Sequence, residues 1–199
     1  MAADELPRTQ LWLVRHGETE WSASGRHTSH TDVPLTERGR QRATDLRARL
    51  AGIDFQLVLT SPLGRARQTC TLAGFGERAE IVDDLREWDY GSGEGLTTAQ
   101  IRETSPGWTV WTHDLPGSEP AADVGARADR VIARARDAGG RTLAFSHGHL
   151  SRVLGARWID LLVADGAGLR LDTAAVSVLG WEREHPVLHR WNDTGALPG

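Results

Sequence analysis

An arginine, a histidine and a glycine at positions 15 to 17 close a short apolar run, Leu11 to Val14. An apolar run with no helical period, stopped by a glycine, is the pattern of a buried strand that ends at a turn. A side chain at such a strand end points into the crevice where ligands bind in open α/β sheets. Residues 13 to 21 therefore read as a catalytic loop, with Arg15 and His16 placed for chemistry. Alone, the tripeptide carries little weight, because short motifs match by chance. A histidine satisfied at a strand terminus, beside an arginine in a surface ion pair, is the simpler account of the tripeptide taken alone.

Two further runs end in the same way. Phe55 to Thr60 stops at Ser61-Pro62 and leads into a helix from about Gly64 to Leu72 that carries Arg65. Thr142 to Phe145 stops at Ser146-His147-Gly148-His149, directly before a helix from Leu150 to Trp158. If these strands are parallel neighbours, their ends bring two arginines and two histidines into one crevice. Two unit charges about 4 Å apart repel by roughly 4 kcal/mol at an effective dielectric near 20. A phosphoryl dianion relieves that repulsion, and arginine's planar fork suits its oxygens.

The elements that must hold this cluster alternate between strand and helix. Glu18 to Val33 is polar and reads as a loop of functional length, and Thr36 is an N-cap for a helix that carries Ala43, Leu46 and Leu50 and stops at Gly52. The arginines at 38, 40, 42, 47 and 49 form its solvated face. Ala79 to Val82 is a third strand, and Leu85 to Gly95 is too glycine-rich for regular structure. Residues 97 to 118, which include a short helix, read as a lid-like insertion in which Trp108 and Trp111 serve as packing anchors. Val124, Ala128, Val131, Ile132 and Ala135 mark a helix ending at Gly139-Gly140. Val176 to Trp181 and Val187 to Trp191 form a terminal strand pair turning around His185-Pro186. The fold class expected is a three-layer α/β/α sandwich on a mostly parallel mixed sheet, with residues 1–199 as one domain.

Composition narrows the chemistry further. The net charge of −4 provides no overall basic field for nucleic acid or an anionic membrane, so neither is an expected partner. All 23 basic residues are arginine, which removes the P-loop lysine, Schiff-base chemistry and a lysine general base. Cys70 is the single cysteine and reads as a buried thiol inside a helix. Residues 1 to 10 lack the basic and apolar regions of a signal peptide, and no apolar run spans a bilayer, so the expected location is cytoplasmic. Nothing in the sequence determines oligomeric state, for which a homodimer is the default.

Taken together, Arg15-His16-Gly17-Glu18-Thr19, Ser61 to Thr69 with Arg65, Glu87 followed by Tyr90-Gly91 and Glu94-Gly95, and Ser146-His147-Gly148 resemble the histidine phosphatase superfamily, the phosphoglycerate-mutase-like proteins. The pieces occur in that family's order and span most of the chain. The resemblance implies that His16 attacks phosphorus and becomes a phosphohistidine. Arg15, Arg65 and His147 would hold the equatorial oxygens, and Glu87 would protonate the leaving oxygen and then activate water. An acid must start protonated, so activity is expected to lean acidic. The catalytic set is thus His16, Glu87, Arg15, Arg65 and His147. The substrate-binding set is Ser22, Thr28, Ser29, Tyr90 and Gly148.

Departures from the family pattern fall on the substrate wall. Ser22 stands where relatives often have asparagine, and Ser29 stands where they often have glycine, which is expected to narrow that wall. Gly93 stands where many carry an aromatic, which is expected to open the wall near Glu87. His147 and His149 form an HxH pair, but there is no HExxH and no carboxylate at ligand spacing. No metal and no cofactor are expected, as the resemblance also implies. The expected function is a phosphatase acting on small phosphorylated metabolites, with closest likeness to actinobacterial-type acid phosphatases and sugar-bisphosphatase-like members. The alternatives are a phosphoglycerate-type mutase, whose family members are usually longer, and a non-catalytic module that binds phosphorylated ligands.

Overall fold

A computed structural model describes residues 9–195. The opening stretch read above as lacking a signal peptide lies largely outside them. Six strands make one sheet: β1 (Gln10–Arg15), β2 (Leu57–Thr60), β3 (Glu80–Ile81), β4 (Arg141–Ser146), β5 (Val176–Glu182) and β6 (His185–Asp193). Their order is β3-β2-β4-β1-β5-β6. The first four are mutually parallel, and β5 runs antiparallel to both β1 and β6.

Parallel strands covered on both faces read as continuous apolar runs, while each residue still commits to one face. Leu11 and Leu13 of β1 and Ala144 of β4 face one core with Leu150, Val153, Leu154 and Trp158 of α6 (Gly148–Trp158). That core also holds Val124, Ala128, Val131 and Ile132, the apolar stripe of α5 (Ala121–Ala138). Val14, Leu143 and Phe145 face the other core with Leu46 and Leu50 of α2 (Glu37–Leu50) and Cys70 of α3 (Gly64–Leu72). The result is the three-layer sandwich expected from the pattern. No helix among the described residues is long and apolar enough to cross a membrane.

Register puts the chemistry at one level. Arg15 pairs with Ser146 and Thr60 with Phe145, so β1, β2 and β4 end side by side. The ladder extends one residue past each end, with His16 N donating to Ser146 O and Ser61 N to Phe145 O, both at 2.9 Å.

Some local structure departs from expectation. The polar stretch after β1 contains a five-residue helix, α1 (Glu20–Ser24), built from side chains rather than an apolar stripe. Thr19 and Ser22 close a capping box, and Gly25 ends the helix at φ 72°. The glycine-rich segment forms a 3-10 turn at Gly91–Gly93, and a second such turn spans Asp83–Leu85. The β5–β6 turn lies at Arg183-Glu184, and Pro186 lies inside the edge strand β6, where its missing N–H is tolerated. After α4 (Thr98–Thr104), Trp108 is buried and its Nε1 donates to His113 O at 2.9 Å.

Candidate active site

The loop after β1 is anchored by the helix after β2. Gly17 N donates to Thr69 Oγ1 at 3.0 Å, and the Thr69 hydroxyl donates to Arg65 O at 2.7 Å. A Cβ at Gly17 would lie 2.5 Å from Gly39 O, so only glycine lets α2 start this close to the loop. His16 Nδ1 lies 2.7 Å from Gly17 O. A carbonyl can only accept, so Nδ1 carries the proton and Nε2 keeps its lone pair.

His147 lies at the end of β4, fully buried, with its ring centroid 5.3 Å from that of His16. Its Nε2 is 2.7 Å from Ser61 Oγ, at the end of β2, and its Nδ1 has no partner. Burial holds both imidazoles well below the ordinary histidine pKa, and the Arg65 and Arg15 charges push the same way. Both are neutral at neutral pH.

The two arginines are held by backbone. Arg15 Nη1 donates to Leu171 O at 2.6 Å. Arg65 Nη1 donates to Thr31 O at 3.1 Å, and Nη2 donates to Thr28 O and Ser29 O, each at 3.0 Å. In both arginines the buried Nε is left unpartnered. Three buried nitrogens, two guanidinium Nε and His147 Nδ1, thus lack partners within the strand-end cluster. An unpaired buried polar group costs about 1–3 kcal/mol, and more where it is charged.

Glu87 faces this cluster from the segment after β3. Its Oε1 accepts from Trp88 N at 3.0 Å and Leu150 N at 2.9 Å, and its Oε2 accepts from His149 N at 3.0 Å. Two of those donors belong to the first turn of α6, whose free N–H groups are otherwise unused. A Cβ at Gly148 would sit 3.4 Å from Arg15 Cζ and 3.5 Å from Glu87 Oε2, so any longer side chain would fill the space between them. Tyr90 Oη is 2.6 Å from His149 Nδ1, and burial raises the phenol well above its ordinary pKa.

A cleft of about 160 Å³ opens over His16. Arg15, Glu87, Tyr90, Gly148, Ser22 and Thr28 line it. Arg65 and His147 are not among its lining residues and are buried, 1% and 0% exposed, with His147 against the His16 ring. The Ser22 hydroxyl is engaged in the α1 capping box. Ser29 is not part of the lining: its N–H and hydroxyl both donate to Glu94 Oε2 at 2.7 Å, while Glu94 Oε1 accepts from Thr31 N at 3.0 Å. The side chain that replaces glycine there fastens the loop from behind instead of narrowing the wall. Gly93 also departs from expectation, because a Cβ there would meet Leu115 Cδ1 at 2.7 Å and Ile101 Cδ1 at 3.2 Å. Its space is filled by that packing, and the cleft wall is not opened.

Arg26, His27, His149, Arg152 and Leu171 also line the cleft and were not anticipated. The signal that could have found two of them is spacing: His149 and Arg152 are three apart, on one face of the helix that follows His147. The HxH pair is split, since His147 turns to Ser61 and His149 to Tyr90.

Residues 11–194 match the sequence model of the histidine phosphatase superfamily, branch 1. An acid phosphatase of Mycobacterium tuberculosis is 46% identical over 178 residues, covering 87% of this chain and 87% of its own length. A sedoheptulose 1,7-bisphosphatase of Saccharomyces cerevisiae is 35% identical over 181 residues, covering 75% of this chain and 67% of its own. A solved structure of an open reading frame from Mycobacterium tuberculosis superposes with a TM-score of 0.88 at 40% identity, covering 94% of this chain and 99% of that one. With the strand-end histidines, the buried arginines and Glu87 in one site, and a match running through both ends of the sheet, the chain belongs to the histidine phosphatase superfamily.

Proposed function

We propose that the chain is a metal-independent phosphatase that hydrolyses phosphomonoesters of small metabolites through a phosphohistidine on His16. The observation that carries this reading is the set of three unpartnered buried nitrogens beside a neutral nucleophilic imidazole. Arg15 Nε and Arg65 Nε are donors awaiting oxygen atoms, His147 Nδ1 is a third in the tautomer in which Ser61 Oγ donates to Nε2, and a phosphoryl group supplies three.

In the first step His16 Nε2 donates its electron pair to phosphorus and the bond from phosphorus to the ester oxygen breaks. A protonated Glu87 delivers its proton to the departing oxygen. The Nδ1–H bond to Gly17 O keeps the ring oriented and stabilises the charge that the imidazole gains. In the second step Glu87 takes a proton from water, the hydroxide oxygen attacks phosphorus, and the nitrogen–phosphorus bond breaks to release phosphate. Catalysis of this kind is positioning plus charge neutralisation, which preorganised donors in a buried site provide.

His16→Ala removes the nucleophile and is expected to abolish hydrolysis of p-nitrophenyl phosphate. Quenching the wild-type protein in alkaline detergent during turnover should trap a phosphoenzyme that is alkali-stable and is lost on acid treatment. Retained turnover by His16→Ala, or a wild type that forms no such species, would sink the reading.

A further inference from the structure

Two guanidiniums that this chemistry does not use share the cleft with His16. Arg26 follows the αL glycine that ends α1, Arg152 lies on α6, and both line the cleft. The Arg26 side chain is exposed and makes no hydrogen bond or ion pair among the described residues.

Arg152 is fixed in place without a counter-ion. Its Nε donates to Gly166 O at 2.9 Å and its Nη2 to Ala167 O at 2.8 Å, and the guanidinium lies 4.5 Å over the Trp111 ring. Nη1 is left free. Gly166 makes this seat possible, because a Cβ there would lie 2.9 Å from the Trp111 ring. Of the five other arginines on α5 and α6, four meet carboxylates, Arg127 with Glu119, Arg130 with Asp84, Arg134 with Glu80 and Arg157 with Asp129, while Arg136 lies over the Trp158 and Trp181 rings. Among the residues lining the cleft the one carboxylate is Glu87, and its oxygens already accept three backbone N–H groups. Arg15 and Glu87 both act electrostatically on Arg152, so it belongs to the same charged site.

We infer that Arg26 and Arg152 form a second anion subsite at the cleft mouth, so that the substrate carries a further phosphate or a carboxylate on the alcohol that leaves. The inference rests on the phosphatase reading above. The inner cluster holds the phosphoryl group that is transferred. The outer pair holds the remote anion and orients the leaving oxygen toward Glu87. Arginine presents donors to either anion, and Arg152 does so from a partly desolvated seat where charge-assisted bonds are strong.

The test is binding to His16→Ala protein, which does not consume its ligand, by titration calorimetry with two matched pairs. Fructose 1,6-bisphosphate against fructose 1-phosphate reads a second phosphate. 2-Phosphoglycerate against glycerol 2-phosphate reads a carboxylate. In at least one pair the ligand with two anionic groups is expected to bind about tenfold more tightly, the effect of one good charge-assisted contact. Adding Arg26→Ala or Arg152→Gln should reduce that ratio several-fold, and the pair that responds identifies the anion. Arg26 is exposed, so its variant keeps the test valid if Arg152→Gln loosens the 163–168 turn. A ratio near one in both pairs, or one unchanged in both variants, overturns the subsite. Wild-type turnover of p-nitrophenyl phosphate without any such ratio makes the subsite fail alone. A clear ratio with no turnover of any ester means that the phosphatase reading fails and the subsite stands.

Discussion

At the scale of single residues, the site depends on how each nitrogen is occupied. His16 keeps a free Nε2 because its proton is on Nδ1, which donates to Gly17 O, and His147 is oriented because Ser61 Oγ meets its Nε2. Ser61 is therefore a positioning residue. Ser61→Ala leaves a second nitrogen of a fully buried ring unpaired, which costs about 1–3 kcal/mol. Spread over stability and transition-state binding, that predicts a drop in kcat/KM for p-nitrophenyl phosphate of roughly tenfold, since 1.4 kcal/mol is a factor of ten. Ser61→Thr, which retains the hydroxyl, should recover most of it. Steady-state kinetics of the two variants check this, and equal losses in both would show that the hydroxyl is not what matters.

At the scale of elements, strand ends and helix starts divide the work. The β1 loop is tied to α3 through Thr69 and to α2 through the close Gly17–Gly39 approach. Thr69→Val deletes the acceptor for Gly17 N and should lower both stability, by about 1–3 kcal/mol, and kcat. Thr36 caps α2 by accepting from Gly39 N at 3.0 Å, outside the reacting centre. Thr36→Ala should cost about 1 kcal/mol of stability with little change in kcat. Denaturant melts paired with kinetics separate the two, and a Thr69→Val enzyme with normal kcat would refute the anchoring role. The elements themselves were largely legible in the sequence. Apolar runs place β1, β2, β4 and β5, and α3 spans Gly64–Leu72 as its spacing implies. The inner site was legible because Arg15, His16 and His147 each sit at or just after a strand end and Arg65 lies in the first turn of the helix that follows β2, and strand ends can be read from local pattern. The helix α1 was not, since its five residues show no apolar period and bury no side chain, and their stability comes from side-chain caps. The outer wall was not legible either. Ser29 meets Glu94 65 residues away and Arg65 36 residues away, contacts that no local pattern encodes.

At the scale of the whole molecule, the site stores unfavourable charge that ligand and proton can modulate. Inorganic phosphate should bind the folded state alone. At a hundred times its Kd it stabilises by about 2.7 kcal/mol, which for a chain of this size raises Tm by roughly 5 to 10 °C. Scanning fluorimetry with and without phosphate measures this, and no shift at saturating phosphate would argue against an anion site. Protons act in the opposite direction. His16, His147 and His149 lie well below the ordinary histidine value, and His27 is lowered to about 4, mainly by burial. The unfolded chain therefore binds more protons than the folded one once pH falls below about 6.5. Stability is full above that pH and is lost as pH drops toward 4, by up to about 1.4 kcal/mol per pH unit for each histidine. Urea melts at pH 7.5, 6 and 5 should show a falling midpoint, and a pH-independent midpoint would refute the buried neutral state of these rings.

Arg65 grips the substrate wall only by the carbonyls of Thr28, Ser29 and Thr31. Carbonyls are common to all residues, so this clamp does not depend on which side chains the loop displays. Specificity is thereby separated from chemistry in evolutionary terms. Position 28, which faces the cleft, can drift among residue types while the loop keeps its path and Arg65 its orientation. A library randomised at position 28 should therefore yield folded enzymes with altered substrate preference far more often than one randomised at position 65.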